Sequence, residues 1–107
     1  MEKKKVYIAG KVTGEDFEKT FRKFEIIQEM LEELKFEVIN PMLIVPHPCK
    51  WEKAMEILKP HLLKADYLLL MPDWEISNGS KVEKELALQH GIKVVHYADL
   101  KELEWAS

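Results

Sequence analysis

The stretch Tyr67-Leu68-Leu69-Leu70-Met71-Pro72-Asp73-Trp74-Glu75-Ile76-Ser77-Asn78-Gly79-Ser80-Lys81-Val82-Glu83 decides how this chain folds. Its first five residues are continuously apolar, as in a strand covered on both faces. Pro72 closes that run, and Asp73 to Gly79 is polar and rich in turn formers. Leu86-Ala87-Leu88 then resumes an apolar pattern at helical spacing. The reading is strand, loop, helix, with the helix beginning at Ser80 and ending near His90-Gly91.

The same alternation extends in both directions. Val6-Tyr7-Ile8-Ala9 is a short apolar run closed by Gly10, and it predicts a first buried strand. Phe17, Phe21, Phe24, Ile27, Met30, Leu31 and Leu34 recur at helical spacing and predict a long amphipathic helix. Phe36, Val38 and Ile39 predict a second strand that Pro41 ends. Met42 to Cys49 reads as a loop. Trp51, Met55, Leu58, Leu62 and Leu63 predict a second helical region, kinked or broken at Pro60. Asp66 is expected in a turn on the far side of the sheet. Val94, Val95 and Tyr97 predict a last strand, and Asp99 is the expected cap of a terminal helix reaching Trp105.

Strands alternating with helices argue for a parallel sheet with helices on both faces. The expected fold is α/β, a three-layer sandwich with a four- to five-stranded parallel sheet of the flavodoxin-like or Rossmann-like kind. One domain over residues 1–107 suits the length. In such sheets ligands bind beyond the C-terminal ends of the strands. That places the expected site on the loops Gly10–Asp16, Asn40–Cys49, Pro72–Ser80 and His96–Asp99, of which the first three are the polar stretches marked by glycine or proline.

Bulk composition narrows the function classes. The net charge is -3, from 16 basic and 19 acidic side chains, which disfavours duplex nucleic acid as a partner. Cys49 is the one cysteine, too few for an internal disulfide or a thiolate metal site. His47, His61, His90 and His96 share no metal-ligand spacing, so no metal is expected. No segment approaches the roughly 20 apolar residues of a membrane span, and a cytoplasmic protein is expected. Ala9-Gly10-Lys11-Val12-Thr13-Gly14 is neither a Walker loop nor a dinucleotide fingerprint. No cofactor is implied.

The residues that carry chemistry gather in the central stretch. Ser80-Lys81-Val82-Glu83 has the spacing of a capping box, in which Glu83 folds back onto the Ser80 amide. Glu83 is alternatively free, held ionised by the helix end, and able to act as a nucleophile or to stabilise a positive transition state. Asp73 is placed to accept a hydrogen bond from a base or sugar, and Trp74 to stack on a flat ring. Ser77, Asn78 and Ser80 are turn formers or donors to an anion. Tyr7 is a core position whose hydroxyl can reach past the strand end to orient a carboxylate. Gly10 allows close backbone approach, and Lys11 beside it is exposed or faces an anion.

These pieces together resemble the nucleoside 2-deoxyribosyltransferase-like superfamily, and within it a small branch found in phages and bacteria. The resemblance rests on Val6 to Gly14, Val38-Ile39-Asn40-Pro41-Met42, Trp51 and Met55, Ala65-Asp66 through Glu75, Ser77, Gly79-Ser80, Glu83 and Ala87. It implies cleavage of the N-glycosidic bond of a 2-deoxyribonucleoside or its 5′-monophosphate, by hydrolysis or transfer to a second base. Glu83 would attack the anomeric carbon, Tyr7 would orient it, and Asp73 would contact or protonate the leaving base. Gly10, Lys11, Pro41, Met42, Trp74, Ser77, Gly79 and Ser80 would bind the substrate. The resemblance also implies a homo-oligomer, with which exposed Trp51 and Trp105 agree. One departure stands out: related sequences carry an Asp eight residues before the position of Asp66, where this chain has Leu58. A non-catalytic nucleotide-binding module and a structural or regulatory interaction protein are the alternatives.

Overall fold

Residue alternation along the strands sets the layering. Val6 and Ile8 of β1 (Lys5–Ala9) point to one face, and Tyr7 and Ala9 to the other. Leu69 and then Leu68 and Leu70 of β3 (Tyr67–Leu70) divide in the same way. All seven are completely buried, so the sheet must be covered on both sides. With β2 (Glu37–Ile39) and β4 (Lys93–His96) these strands form a four-stranded, all-parallel sheet in the order β2-β1-β3-β4. The computed structural model describes residues 2–106, and side chains as far as residue 103. Trp105, expected to be exposed, has its side chain outside the described residues.

Helix α1 (Phe17–Glu33) covers the first face. It starts where Asp16 accepts the Lys19 amide at 3.0 Å, and it buries Thr20, Phe24, Ile27 and Leu31 as one stripe. Leu103 from α5 (Lys101–Ala106) joins that core. Helices α3 (Trp51–Leu62) and α4 (Asn78–Gln89) cover the second face through Leu58, Leu62 and Ala87. This is the three-layer α/β sandwich of the flavodoxin-like or Rossmann-like kind. Among the described residues no helix is long and apolar enough to cross a membrane.

Three local expectations are corrected, and a fourth, at Pro60, is narrowed because the break does not occur. Helix α4 begins at Asn78, not Ser80, because the Ser77 hydroxyl accepts the Ser80 amide at 3.1 Å and so takes the cap position. The segment after Pro41 is not all loop. Asn40 caps a short helix, α2 (Pro41–Ile44), by accepting the Met42 amide at 2.9 Å, and Pro41 sits in its first turn, where a missing N–H costs nothing. Helix α3 passes through Pro60 without a break, and its ladder resumes at Leu63 N–H to Lys59 carbonyl, 3.1 Å. Finally, β4 ends at His96. Tyr97–Asp99 is a 3-10 turn, so Asp99 belongs to that turn rather than to the strand-to-helix cap.

The order of strands creates the site. The chain leaves β1 for the β2 side of the sheet, then returns across β1 to β3. Loops after β1 and β3 therefore diverge between neighbouring strands, which opens a crevice at their C-terminal ends.

Candidate functional site

The crevice is a cavity of about 420 Å³ above β1, between the Gly10–Thr13 loop, α2, the start of α3 and the start of α4. Gly10 and Lys11 supply one wall, Pro41 and Met42 another, and Ser77, Gly79, Ser80 and Glu83 a third. Eight of the residues marked out by sequence therefore share one cavity. Tyr7 meets it from beneath through Glu83. Asp73 and Trp74 are not among its lining residues.

Glu83 is placed by two periodicities. On α4 the buried residues are Ser80, Glu83 and Ala87, a stripe that faces the sheet. On β1, Tyr7 points to the same side as α4. The Tyr7 hydroxyl accordingly donates a hydrogen bond to Glu83 Oε2, across 76 residues of sequence. The capping-box geometry does not form. With Ser77 as cap, Glu83 lies in the second turn, beyond the reach of the first amides.

Burial then decides the charge. Glu83 is 6 % exposed. Removal from water pushes its carboxyl up to about 8, against the opposing pull of the Tyr7 hydrogen bond. Burial thus opposes the ionised form expected for Glu83 at the helix end, and the helix dipole, which acts mainly in the first turn, is too far away to offset it. Burial, the neighbouring Glu83 charge and the shared hydrogen bond together push the Tyr7 phenol well above its ordinary range. Both shifts favour the protonated forms of the pair.

The start of α4 is the polar edge of the cavity. Ser77, Asn78, Gly79 and Ser80 bring the positive end of the helix to it. Ser80 is completely buried, and its Oγ has no hydrogen-bond partner among the described residues. A Cβ on Gly79 would sit 3.3 Å from Trp51 Nε1 and 3.5 Å from Met55 Sδ, so α3 and α4 approach closely there. The opposite wall is apolar, with Met42, Val45, Met55 and Leu58, and Trp51 is 38 % exposed at its rim.

Asp73 has a different environment. Its Oδ1 accepts the Lys11 amide at 3.1 Å, and its Oδ2 accepts Lys23 Nζ at 2.6 Å. Lys23 also donates to the Lys11 carbonyl at 3.1 Å. A Cβ on Gly10 would stand 2.8 Å from Met71 Sδ and 3.3 Å from Asp73 Oδ1, so a side chain there would displace Met71 and crowd Asp73. These contacts tie the β1 loop to α1 and to the end of β3. Asp73 and Lys23 face an open groove of about 690 Å³ on the other side of that loop. Trp74 stands edge-on to His96 with ring centroids 5.6 Å apart, and Lys84 Nζ lies 4.4 Å from its centroid. Lys11 Nζ turns back onto the Thr13 carbonyl at 2.7 Å.

Sequence reasoning did not single out Lys23, or Trp51 as a cavity residue. Lys23 interrupts the inward stripe Thr20-Phe24-Ile27 of α1, and a lysine at such a position signals a partly buried ion pair. Trp51 begins α3 directly after the proline-marked loop, a place that faces the strand ends in this topology. No group of His, Cys, Asp and Glu able to hold a metal occurs among the described residues.

Comparison with known proteins gives one family match. The model described as "Domain of unknown function (DUF4406)" matches residues 4–96, which spans the whole sheet and the cavity, and the chain belongs to that family. No curated protein matches the chain. The small α/β domain with a helix-flanked parallel sheet agrees with the broad nucleoside 2-deoxyribosyltransferase-like fold.

Proposed function

We propose that this member of the DUF4406 family cleaves the N-glycosidic bond of a nucleoside or nucleotide, with Glu83 as nucleophile. One observation carries the reading. A carboxyl group lies almost wholly buried at the floor of a cavity, held by a tyrosine from the neighbouring strand rather than by a lysine, an arginine or its own helix. Structural carboxylates are paired with cations or caps; one kept dry beside a ligand-sized void suits chemistry.

In the proposed reaction an ionised Glu83 oxygen bonds to the anomeric carbon as the bond to the base breaks. Negative charge so close to the carbon stabilises its oxocarbenium character. Water or a second base then releases the sugar from the ester. Tyr7 fixes the direction of the carboxyl through Oε2 and leaves Oε1 for the substrate. The amide-rich start of α4 and the unpartnered Ser80 hydroxyl suit a sugar hydroxyl or a phosphate. In this reading Asp73 and Lys23 hold the Gly10-Lys11 wall in place.

The test is chromatography for free base after incubation with deoxynucleosides and their 5′-monophosphates. Base release by the natural protein is expected, and Glu83→Gln should lower it by about 10³-fold or more, the scale on which lost nucleophiles act. Base release that survives the substitution would refute the assignment. Ligand binding without base release would make the cavity a binding module.

A further inference from the structure

The cavity holds one buried acid, and its protein partner is a neutral phenol. A buried carboxylate is costly without a positive partner. Lys11, the lysine of the cavity wall, has its ammonium engaged by the Thr13 carbonyl at 2.7 Å. His47 and Cys49 are the other titratable groups lining the cavity. His47 is exposed and packs edge-on against Phe17, with centroids 4.7 Å apart. The facing wall offers the indole of Trp51 and the thioethers of Met42 and Met55, surfaces that favour a flat and positively charged ring.

Resting on the N-glycosidase reading, we infer that the preferred substrates are N-glycosides whose base carries a fixed positive charge, such as a pyridinium or an N-alkylated purinium. The cation takes the place of the carboxyl proton. As the substrate binds, Glu83 releases its proton to solvent and becomes the carboxylate that the reaction needs. Its oxygen then bonds to the anomeric carbon, and the carbon–nitrogen bond breaks. The electron pair of that bond goes to the ring nitrogen and cancels its charge. The base departs neutral, with no proton supplied to it. Water next adds its oxygen to the anomeric carbon, loses one proton to solvent, and restores the free carboxylate. The chemistry answers a difficulty of the site: an acid that must be ionised to attack cannot also protonate the leaving group.

The experiment is calorimetric titration of the whole chain at pH 7 with two matched pairs of probes. Nicotinamide riboside is compared with its uncharged dihydropyridine form, and 7-methyladenosine with adenosine. The charged member of each pair should bind at least about 10-fold more tightly, a difference near 1.4 kcal/mol. Its binding heat, taken from the fast step of each injection before turnover, should vary with the ionisation enthalpy of the buffer, corresponding to about one released proton per site, as linkage requires of a carboxyl that ionises on binding; the proton freed by hydrolysis falls in the later turnover heat. Free nicotinamide should then accumulate. Equal or weaker binding of the charged member, binding without proton release, or no binding by either pair would each overturn the inference. Charge-selective binding with proton release but without base release would keep the inference about ligand charge and remove the glycosidase reading. Equal cleavage of charged and uncharged members would do the reverse. No variant is needed for these outcomes, so a misfolded Glu83→Gln protein cannot obscure them.

Discussion

Two carboxylates stand near the ends of β1 and β3, and their surroundings are opposite. Asp73 is a quarter exposed at its side chain and meets an ammonium at 2.6 Å and a backbone amide at 3.1 Å. Glu83 is nearly dry and meets a phenol. The first arrangement satisfies a charge and links three segments of chain. The second leaves a charge unsatisfied and stores a proton in its place. The sequence presents both as acids of one loop-helix stretch. The difference teaches that the partner, more than the residue type, separates an acid held as a paired charge from one held dry.

The contrast predicts a pH effect first, and it is the largest. The folded Glu83 carboxyl is raised to about 8, while in the unfolded chain it titrates near its ordinary 4.5. Between those values the folded state binds more protons than the unfolded state, so stability must fall as pH rises from about 4.5 to about 8 and level off above that. Tyr7, Lys11, His47 and Cys49 are the other titratable groups at the cavity, and Glu83→Gln isolates the Glu83 contribution. Thermal melts of the variant should lose this part of the slope and exceed the natural protein near pH 8, by about 4–8 °C for each kcal/mol removed. Parallel melting curves against pH would mean that the two acids do not differ as described.

The Asp73 side of the comparison gives the next effect. Lys23→Met removes the ammonium from Asp73 and from the Lys11 carbonyl together. The expected cost is about 1.5–3 kcal/mol, the range for hydrogen bonds to charged groups, read from denaturant midpoints. Lys23→Arg should recover part of it. A neutral result for Lys23→Met would show that the pair carries no load.

Two serines extend the same distinction to hydroxyls. Ser77 caps α4, so Ser77→Ala should cost about 1 kcal/mol. Ser80 Oγ is buried without a partner among the described residues, so Ser80→Ala should change the stability of the ligand-free protein by less than about 0.5 kcal/mol, or raise it. Under the proposed function its effect should fall on ligand affinity, measurable by titration. A loss of 2 kcal/mol in the ligand-free protein would place Ser80 with the structural residues.

Much of the frame was legible in the residues. Continuous apolar runs at Val6–Ala9 and Tyr67–Leu70 required a sheet buried on both faces, and the α1 stripe from Phe24 to Leu31 required a helix packed on it. The β1, β2 and β3 loops could be placed at one end because parallel strands all end on the same side. Local hydrogen-bond competition was less legible. Ser77 and Ser80 are both good caps, and only the path of the chain out of the 3-10 turn Trp74–Ile76 selected Ser77. That shift of three residues removed the capping box and freed Glu83.

Sequence by itself determined the layers, their order along the chain and the edge of the sheet where the cavity opens, because those follow from periodicity and chain direction. Tertiary structure decided which acid is paired and which is dry. Tyr7 and Glu83 are 76 residues apart, and Lys23 and Asp73 are 50 apart. Partners at such separations are chosen by the crossing of whole elements, and the charge state of a buried group depends on that choice.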